Sequence, residues 1–258
     1  MHNIGISTGC FYPEKPEDSI RRIHDLGIRR IELFINTGSE TEMTYCKSLK
    51  DILDFYGISA VSLHPFTSFA ESFLFFSAYD RRFADGLDIY DRYFEMCNLY
   101  GAKTVNFHGL KSEHFIEPEK YAEVYSRLYC RAKESGVVFS QENVRNHVCG
   151  KPEYCRRLKN ILGDEISFTL DIKQAHREGF SPEAFAEIFA DRLCLVHIND
   201  FDEKSDCLLP FAGIYDIEGL VSRLKNGGYN GNYIIEVYSG NYSDTDDIRR
   251  SFERLKTI

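Results

Sequence analysis

Short apolar runs alternate along the chain with longer stretches in which apolar residues recur at helical spacing, and glycines punctuate the alternation. The pattern predicts strands over residues 3–8, 28–34, 58–64, 102–108, 137–143, 166–171, 193–199 and 230–238. Between and after them it predicts helices over 16–26, 43–56, 80–100, 118–135, 152–162, 181–190, 217–226 and 244–256, several stopped by a glycine such as Gly27, Gly57, Gly101, Gly136 or Gly163. The strand runs are rich in Val, Ile and Phe, as expected of a parallel sheet covered on both faces.

Eight strand–helix units with no composition break favour a closed (β/α)8 barrel spanning residues 1–258 as one domain over an open doubly wound sheet. An open sheet would also be expected to carry a glycine-rich phosphate turn after an early strand, and none is visible. One connection is oversized, over residues 65–79. It carries Phe66, Phe69, Phe73, Phe75 and Phe76 and reads as a short apolar helix on the barrel rim, as a lid, or as both.

Six polar residues end apolar runs: His64, His108, Glu142, Asp171, His197 and Glu236, separated by 44, 34, 29, 26 and 39 residues. A strand, its helix and their loops take roughly 30 residues, so the six collect at one end of the barrel, the C-terminal face where barrel enzymes act. Each alone is weak evidence, because a strand-end His or Asp is often only bonded to a loop. Together they place several ionisable groups at the end of a core, and a bound cation offsets that cost. Imidazole and carboxylate suit one divalent ion of the Mn, Zn, Mg or Co kind. Glu142, Asp171, His197 and Glu236 make the most economical ligand set, one residue from each of the last four strands. His64 and His108 are left to orient a substrate, shuttle a proton or bind a second metal.

The formal charge of −9 lacks the basic footprint of a nucleic-acid binder. No stretch approaches a membrane span, and residues 1–10 lack a secretory pattern, so a soluble cytoplasmic protein is expected. The eight scattered cysteines form no Cys-x-x-Cys pair and read as reduced, mostly buried thiols. A homo-oligomer is compatible with all of this.

Taken in order, Leu63-His64-Pro65, Asn106-Phe107-His108-Gly109, Gln141-Glu142-Asn143, the run from Leu170 and Asp171 to Ala175, the run from Val196 and His197 to Asp200, and Ile235-Glu236-Val237-Tyr238 resemble the xylose-isomerase-like barrels. These include ketose epimerases, sugar-phosphate isomerases, some dehydratases and the apurinic endonucleases. The resemblance implies that Glu142, Asp171, His197 and Glu236 hold the metal, and that Glu142 and Glu236 also move the proton. The endonuclease branch carries a histidine three residues after the aspartate, where this chain has Gln174, and a further histidine after His197, where this chain has none before Glu236. His176 is displaced from that pattern and reads as a solvent-facing residue. Epimerases also often carry a histidine at the position of Gln174 and an arginine soon after the strand-seven histidine, and this chain has neither.

The expected activity is therefore isomerisation or epimerisation of a small sugar or sugar phosphate by proton transfer through a metal-stabilised enediolate. A dehydratase using the same site is the main alternative, ahead of an endonuclease-like hydrolase or a non-catalytic sugar-binding barrel. Lys173 reads either as an oxyanion or phosphate partner or as a partner of Glu142 or Asp171, and Asn143 and Gln141 as flanks of the ligand. Glu32 reads as a support for His64 or a contact to a substrate hydroxyl, and Phe11 and Tyr238 as pocket walls or rim packing.

Overall fold

Eight parallel strands pair in chain order and the eighth closes on the first. They are β1 (Ile4–Ser7), β2 (Arg30–Phe34), β3 (Ser59–His64), β4 (Thr104–Phe107), β5 (Val138–Glu142), β6 (Ser167–Asp171), β7 (Leu193–Ile198) and β8 (Asn232–Ile235). The computed structural model describes residues 3–258; Met1 and His2, at the head of the segment read for a leader pattern, lie outside the described residues. Among the described residues no helix is long and apolar enough to cross a membrane.

The outer layer comprises α1 (Pro16–Asp25), α2 (Met43–Tyr56), α3 (Glu71–Phe75), α4 (Asp80–Tyr100), α5 (Pro118–Glu134), α6 (Pro152–Leu162), α7 (Ile172–Glu178), α8 (Pro182–Phe189), α9 (Ile217–Asn226) and α10 (Thr245–Lys256). Four of them, α1, α5, α6 and α8, begin with proline, whose missing N–H would be unsatisfied there anyway. Gly57 and Gly101 end α2 and α4 in the left-handed conformation, φ 61° and 75°, which other residues adopt only with strain.

Two helices differ from the expected pattern. The aromatic connection after β3 folds into a 3-10 turn (Phe66–Ala70) followed by α3. Phe75 is buried there, its ring edge-on to Phe83, Tyr90 and Phe107, while Phe69 and Phe73 remain exposed. The rim-helix reading holds for this segment. Helix α7 follows β6 with no loop, because the Asp171 side chain accepts from Gln174 N and caps it. A helix that begins at a strand's last residue leaves no turn signal between them. All eight cysteines are free thiols; Cys130 is exposed, Cys194 partly buried and the rest buried.

The barrel interior is not apolar throughout. Ser62, Asn106, Ser140 and Thr169 are buried on β3, β4, β5 and β6, each two residues before a strand-end candidate. Side chains alternate along a strand, so each points into the barrel on the same side as its candidate. A hydrogen-bonded chain links them: Thr169 Oγ1 donates to Asn106 Oδ1 at 2.7 Å and pairs with Ser140 Oγ at 2.7 Å. Asn106 Nδ2 and Ser62 Oγ donate to Glu32 Oε2 at 2.8 and 2.9 Å. This layer is the floor of the site.

Candidate active site

Register brings the acidic and imidazole groups together. Asp171 pairs with His197 across β6 and β7, and Phe34 pairs with His64 across β2 and β3. Glu142 and Asp171 are the last residues of β5 and β6, and Glu236 immediately follows β8. All four expected ligands thus meet above the polar floor. Nδ1 of His197 faces Glu236 Oε2 at 3.4 Å and both Glu142 Oε1 and Asp171 Oδ2 at 3.7 Å.

Glu32 decides what that nitrogen is. Its Oε2 lies 3.0 Å from His197 Nε2 while also accepting from Ser62 and Asn106. A carboxylate oxygen that collects donors requires the hydrogen on Nε2, as in carboxylate–histidine pairs that orient metal ligands. Sequence reasoning gave Glu32 to His64 or to substrate; its hydrogen bond goes to His197. Nδ1 is then left buried with no hydrogen-bond partner among the described residues, pointing at three carboxylates.

Charge makes the same case. Glu32, Glu142 and Asp171 are buried and the Glu236 side chain is only 15% exposed, whereas one ammonium, Lys173, stands among them. With neutral imidazoles the cluster is formally −3. Burial alone would lower the His197 pKa, but Glu32, Glu236 and Glu142 outweigh it and push it well up. One added proton still leaves the cluster at −2, so a divalent cation fits the donor set better. Three groupings of potential ligands fall within reach of one ion: Glu142 with Asp171 and His197, Glu32 with His197 and Glu236, and His64 with His108 and Glu142.

Glu142 joins two halves of the site. Its Oε1 faces His197, while Oε2 lies 3.4 Å from His108 Nε2 and 3.9 Å from His64 Nε2. The two imidazoles meet each other at 3.1 Å between their Nε2 atoms, so one donates and the other accepts. Burial, reinforced by His108, lowers the His64 pKa to about 4. For His108 burial acts the same way, yet Glu142 overcomes it and raises the pKa. Glu236 is pushed up to about 7 by burial, against the pull of Lys173 and His197.

Of the two readings of Lys173, the contacts present are those of a partner to Asp171, and the other candidates bond or pack within the fold. Lys173 is buried with Nζ 2.5 Å from Asp171 Oδ2 and in contact with Glu236 Oε2, so it pairs within the cluster. Asn143 spends its amide on the backbone of Asp171, donating to the carbonyl at 2.9 Å and accepting from the N–H at 2.7 Å. Gln141 Nε2 donates to the carbonyls of Phe107, His108 and Glu142, fastening the ends of β4 and β5. Phe11 is buried in the core, Tyr238 is half-exposed at the mouth, and His176 stacks on Phe201 at 3.7 Å.

Sequence reasoning missed two supports and one neighbour. Glu71, buried on α3, accepts from the N–H groups of His108 and Gly109 at 2.8 and 2.5 Å and from the Tyr90 hydroxyl. Asn199 Nδ2 donates to Asp171 Oδ1 at 3.3 Å. His147 lies with its ring 5.9 Å from that of His108. The inner polar residues announce themselves by period-two spacing below the strand ends. Glu71 and His147 sit on connections, where spacing carries no such signal.

Residues 20–258 match the family model described as xylose isomerase-like TIM barrel. The chain belongs to this family. No curated protein sequence matches it. Solved structures with the same fold include 3-keto-D-glucoside 4-epimerase YcjR from E. coli, at 17% identity with a TM-score of 0.79 and all of both chains covered. D-psicose 3-epimerase from Clostridium cellulolyticum H10, solved with D-tagatose, has 14% identity and a TM-score of 0.79, covering 99% of this chain and 97% of its own. IolI protein, solved with a zinc atom, has 16% identity and a TM-score of 0.78, covering 99% and 96%. At these identities the likeness establishes a shared (β/α)8 barrel fold.

Proposed function

We propose that this barrel is a divalent-metal-dependent isomerase or epimerase acting on a small sugar or sugar derivative by proton transfer through an enediolate. The observation that carries the reading is the orphaned Nδ1 of His197, turned towards three carboxylates by the bond from Nε2 to Glu32. Structures of the same fold named as sugar epimerases, one of them solved with a sugar, and the IolI protein solved with zinc support this reading.

Glu142, Asp171, His197 and Glu236 would hold the ion. Bound there, it would supply Lewis-acid polarisation of adjacent carbonyl and hydroxyl oxygens, making the neighbouring C–H more acidic. Glu142 and Glu236 come from β5 and β8, the strands flanking the β6–β7 pair. A substrate seated over that pair meets a carboxylate from each side, one to take the proton and the other to return it. Lys173 fixes the Asp171 and Glu236 oxygens that it touches. His108, held beside Glu142, donates to a substrate oxygen, and His64 sets the orientation of His108.

The test is incubation of the purified protein, loaded in turn with Mn²⁺, Zn²⁺, Mg²⁺ and Co²⁺, with ketoses and their phosphates in D2O. Deuterium should enter at the carbon beside the carbonyl, with no loss of water from the product, and Glu236→Gln should lower net isomerisation by about 100-fold or more while remaining folded. Absence of exchange with every ion and sugar, or net isomerisation unchanged in Glu236→Gln, would remove the reading.

A further inference from the structure

A cavity of about 400 Å³ opens beside Glu236, walled by the aromatic side chains of Tyr12, Phe34, Phe66, Phe69 and Tyr238. They come from the connections after β1, β3 and β8 and from the end of β2. Tyr12, Phe69 and Tyr238 are 62%, 73% and 50% exposed, so large rings clustered round one cavity stand in water. Clustered exposure of this kind marks a binding surface more often than scattered single residues do.

The wall is continuous with the site and braced. Phe34 stacks on the His64 imidazole at 4.5 Å, with planes 17° apart. A side chain at Gly9 would press on the Phe34 ring at 3.2 Å, so glycine there leaves the ring its place. Arg177 donates to the Tyr238 hydroxyl at 2.8 Å and is itself fixed by two bonds to Asp206 at 2.6 and 2.8 Å. Ser239 Oγ donates to the Tyr12 carbonyl at 2.6 Å, tying the β1 and β8 connections together.

Charge is scarce here. Among the described residues lining the cavity, Glu236 is the sole carboxylate and there is no lysine or arginine. The nearby cations are committed, Lys173 to Asp171 and Glu236 and Arg177 to Asp206 and Tyr238. Lys111 and Arg145 line a separate cavity together with Glu113 and His147. A phosphate against the aromatic wall would give up its water with no free lysine or arginine there to receive it. One sugar ring has two faces, fewer than five aromatic side chains can cover, and the cavity has the volume of a drug-sized ligand site.

We propose that the substrate is a keto sugar carrying a ring-sized apolar group, as in an aryl glycoside whose sugar ring bears a ketone, with that group in the aromatic cavity and the keto sugar over Glu236. The proposal rests on the isomerase reading for the reacting end and narrows its substrate class to unphosphorylated conjugates.

Calorimetric titration of the metal-loaded protein with phenyl glucoside, methyl glucoside and glucose 6-phosphate tests it without requiring turnover. The phenyl compound should bind about tenfold more tightly than the methyl compound, as aromatic contacts of this kind allow. The ratio should fall towards one in Phe69→Ala and stay unchanged in Phe115→Ala, both exposed positions whose truncation leaves the core intact. Equal binding of the two glucosides, a ratio unaffected by Phe69→Ala, or tighter binding of the phosphate would overturn the proposal. If the isomerase reading alone were wrong, the binding ratio would persist while keto sugars took up no deuterium.

Discussion

Oε2 of Glu32 and Nε2 of His197 lie 3.0 Å apart, both side chains wholly buried beneath the mouth of the barrel. The pair converts a titratable ring into an oriented donor atom: with Nε2 tied to the carboxylate, only Nδ1 is left to face the carboxylates above. Partners of this kind typically influence metal affinity by 10- to 100-fold.

Glu32→Gln keeps the size and the polar contacts to Ser62 and Asn106 but removes the charge that fixes the ring. Metal affinity should fall by roughly 10- to 100-fold, measured by competition with a chelator of known strength, while circular dichroism stays unchanged. Unaltered affinity would mean that His197 does not depend on Glu32 for its orientation.

The two glutamates should separate under conservative substitution. Glu142→Gln and Glu236→Gln should each lower kcat by about 10²- to 10⁴-fold, the usual share of general acid–base catalysis. Exchange measured separately from net conversion in single-turnover experiments should reveal which of the two takes the proton and which returns it. Two variants with near-normal kcat would show that the proton moves elsewhere.

Removal of metal should be visible in stability as well as in activity. Four carboxylates around one lysine repel each other. An ion at 100 times its Kd stabilises the fold by about 2.7 kcal/mol. Dialysis against a chelator should lower Tm, and re-addition of Mn²⁺ or Zn²⁺ should restore it; a Tm indifferent to both would argue against the cradle.

Glu71 links the aromatic connection after β3 to the end of β4. Glu71→Ala would leave the buried N–H groups of His108 and Gly109 unpaired, at a cost of about 1–3 kcal/mol for each. Glu71→Gln can accept from the same two groups and donate to the Tyr90 oxygen, so it should recover most of the loss in urea denaturation. Equal destabilisation by both substitutions would show that charge, and not hydrogen bonding, holds the loop.

Six strand-end residues were legible because period, type and position agreed: His64, His108, Glu142, Asp171, His197 and Glu236 each follow an apolar run and fall at one end of a parallel barrel. The roles of Asn143 and Lys173 were not legible. Both stand beside a strong candidate in sequence, and adjacency cannot say whether a side chain meets substrate or a neighbour. Asn143 turns to the backbone of Asp171, and Lys173 folds back onto Asp171 and Glu236.

The order of elements, the closed barrel and the family were determined by the sequence alone, because hydrophobic periodicity and element spacing are local properties that survive without knowledge of contacts. Only the tertiary structure decided that Glu32 serves His197, that Glu71 reaches β4 from a connection 37 residues earlier, and that five aromatic side chains gather beside Glu236. Each of these depends on strand register and on where loops cross the barrel mouth. Those are set by packing between residues distant in the chain, and no window of sequence contains them.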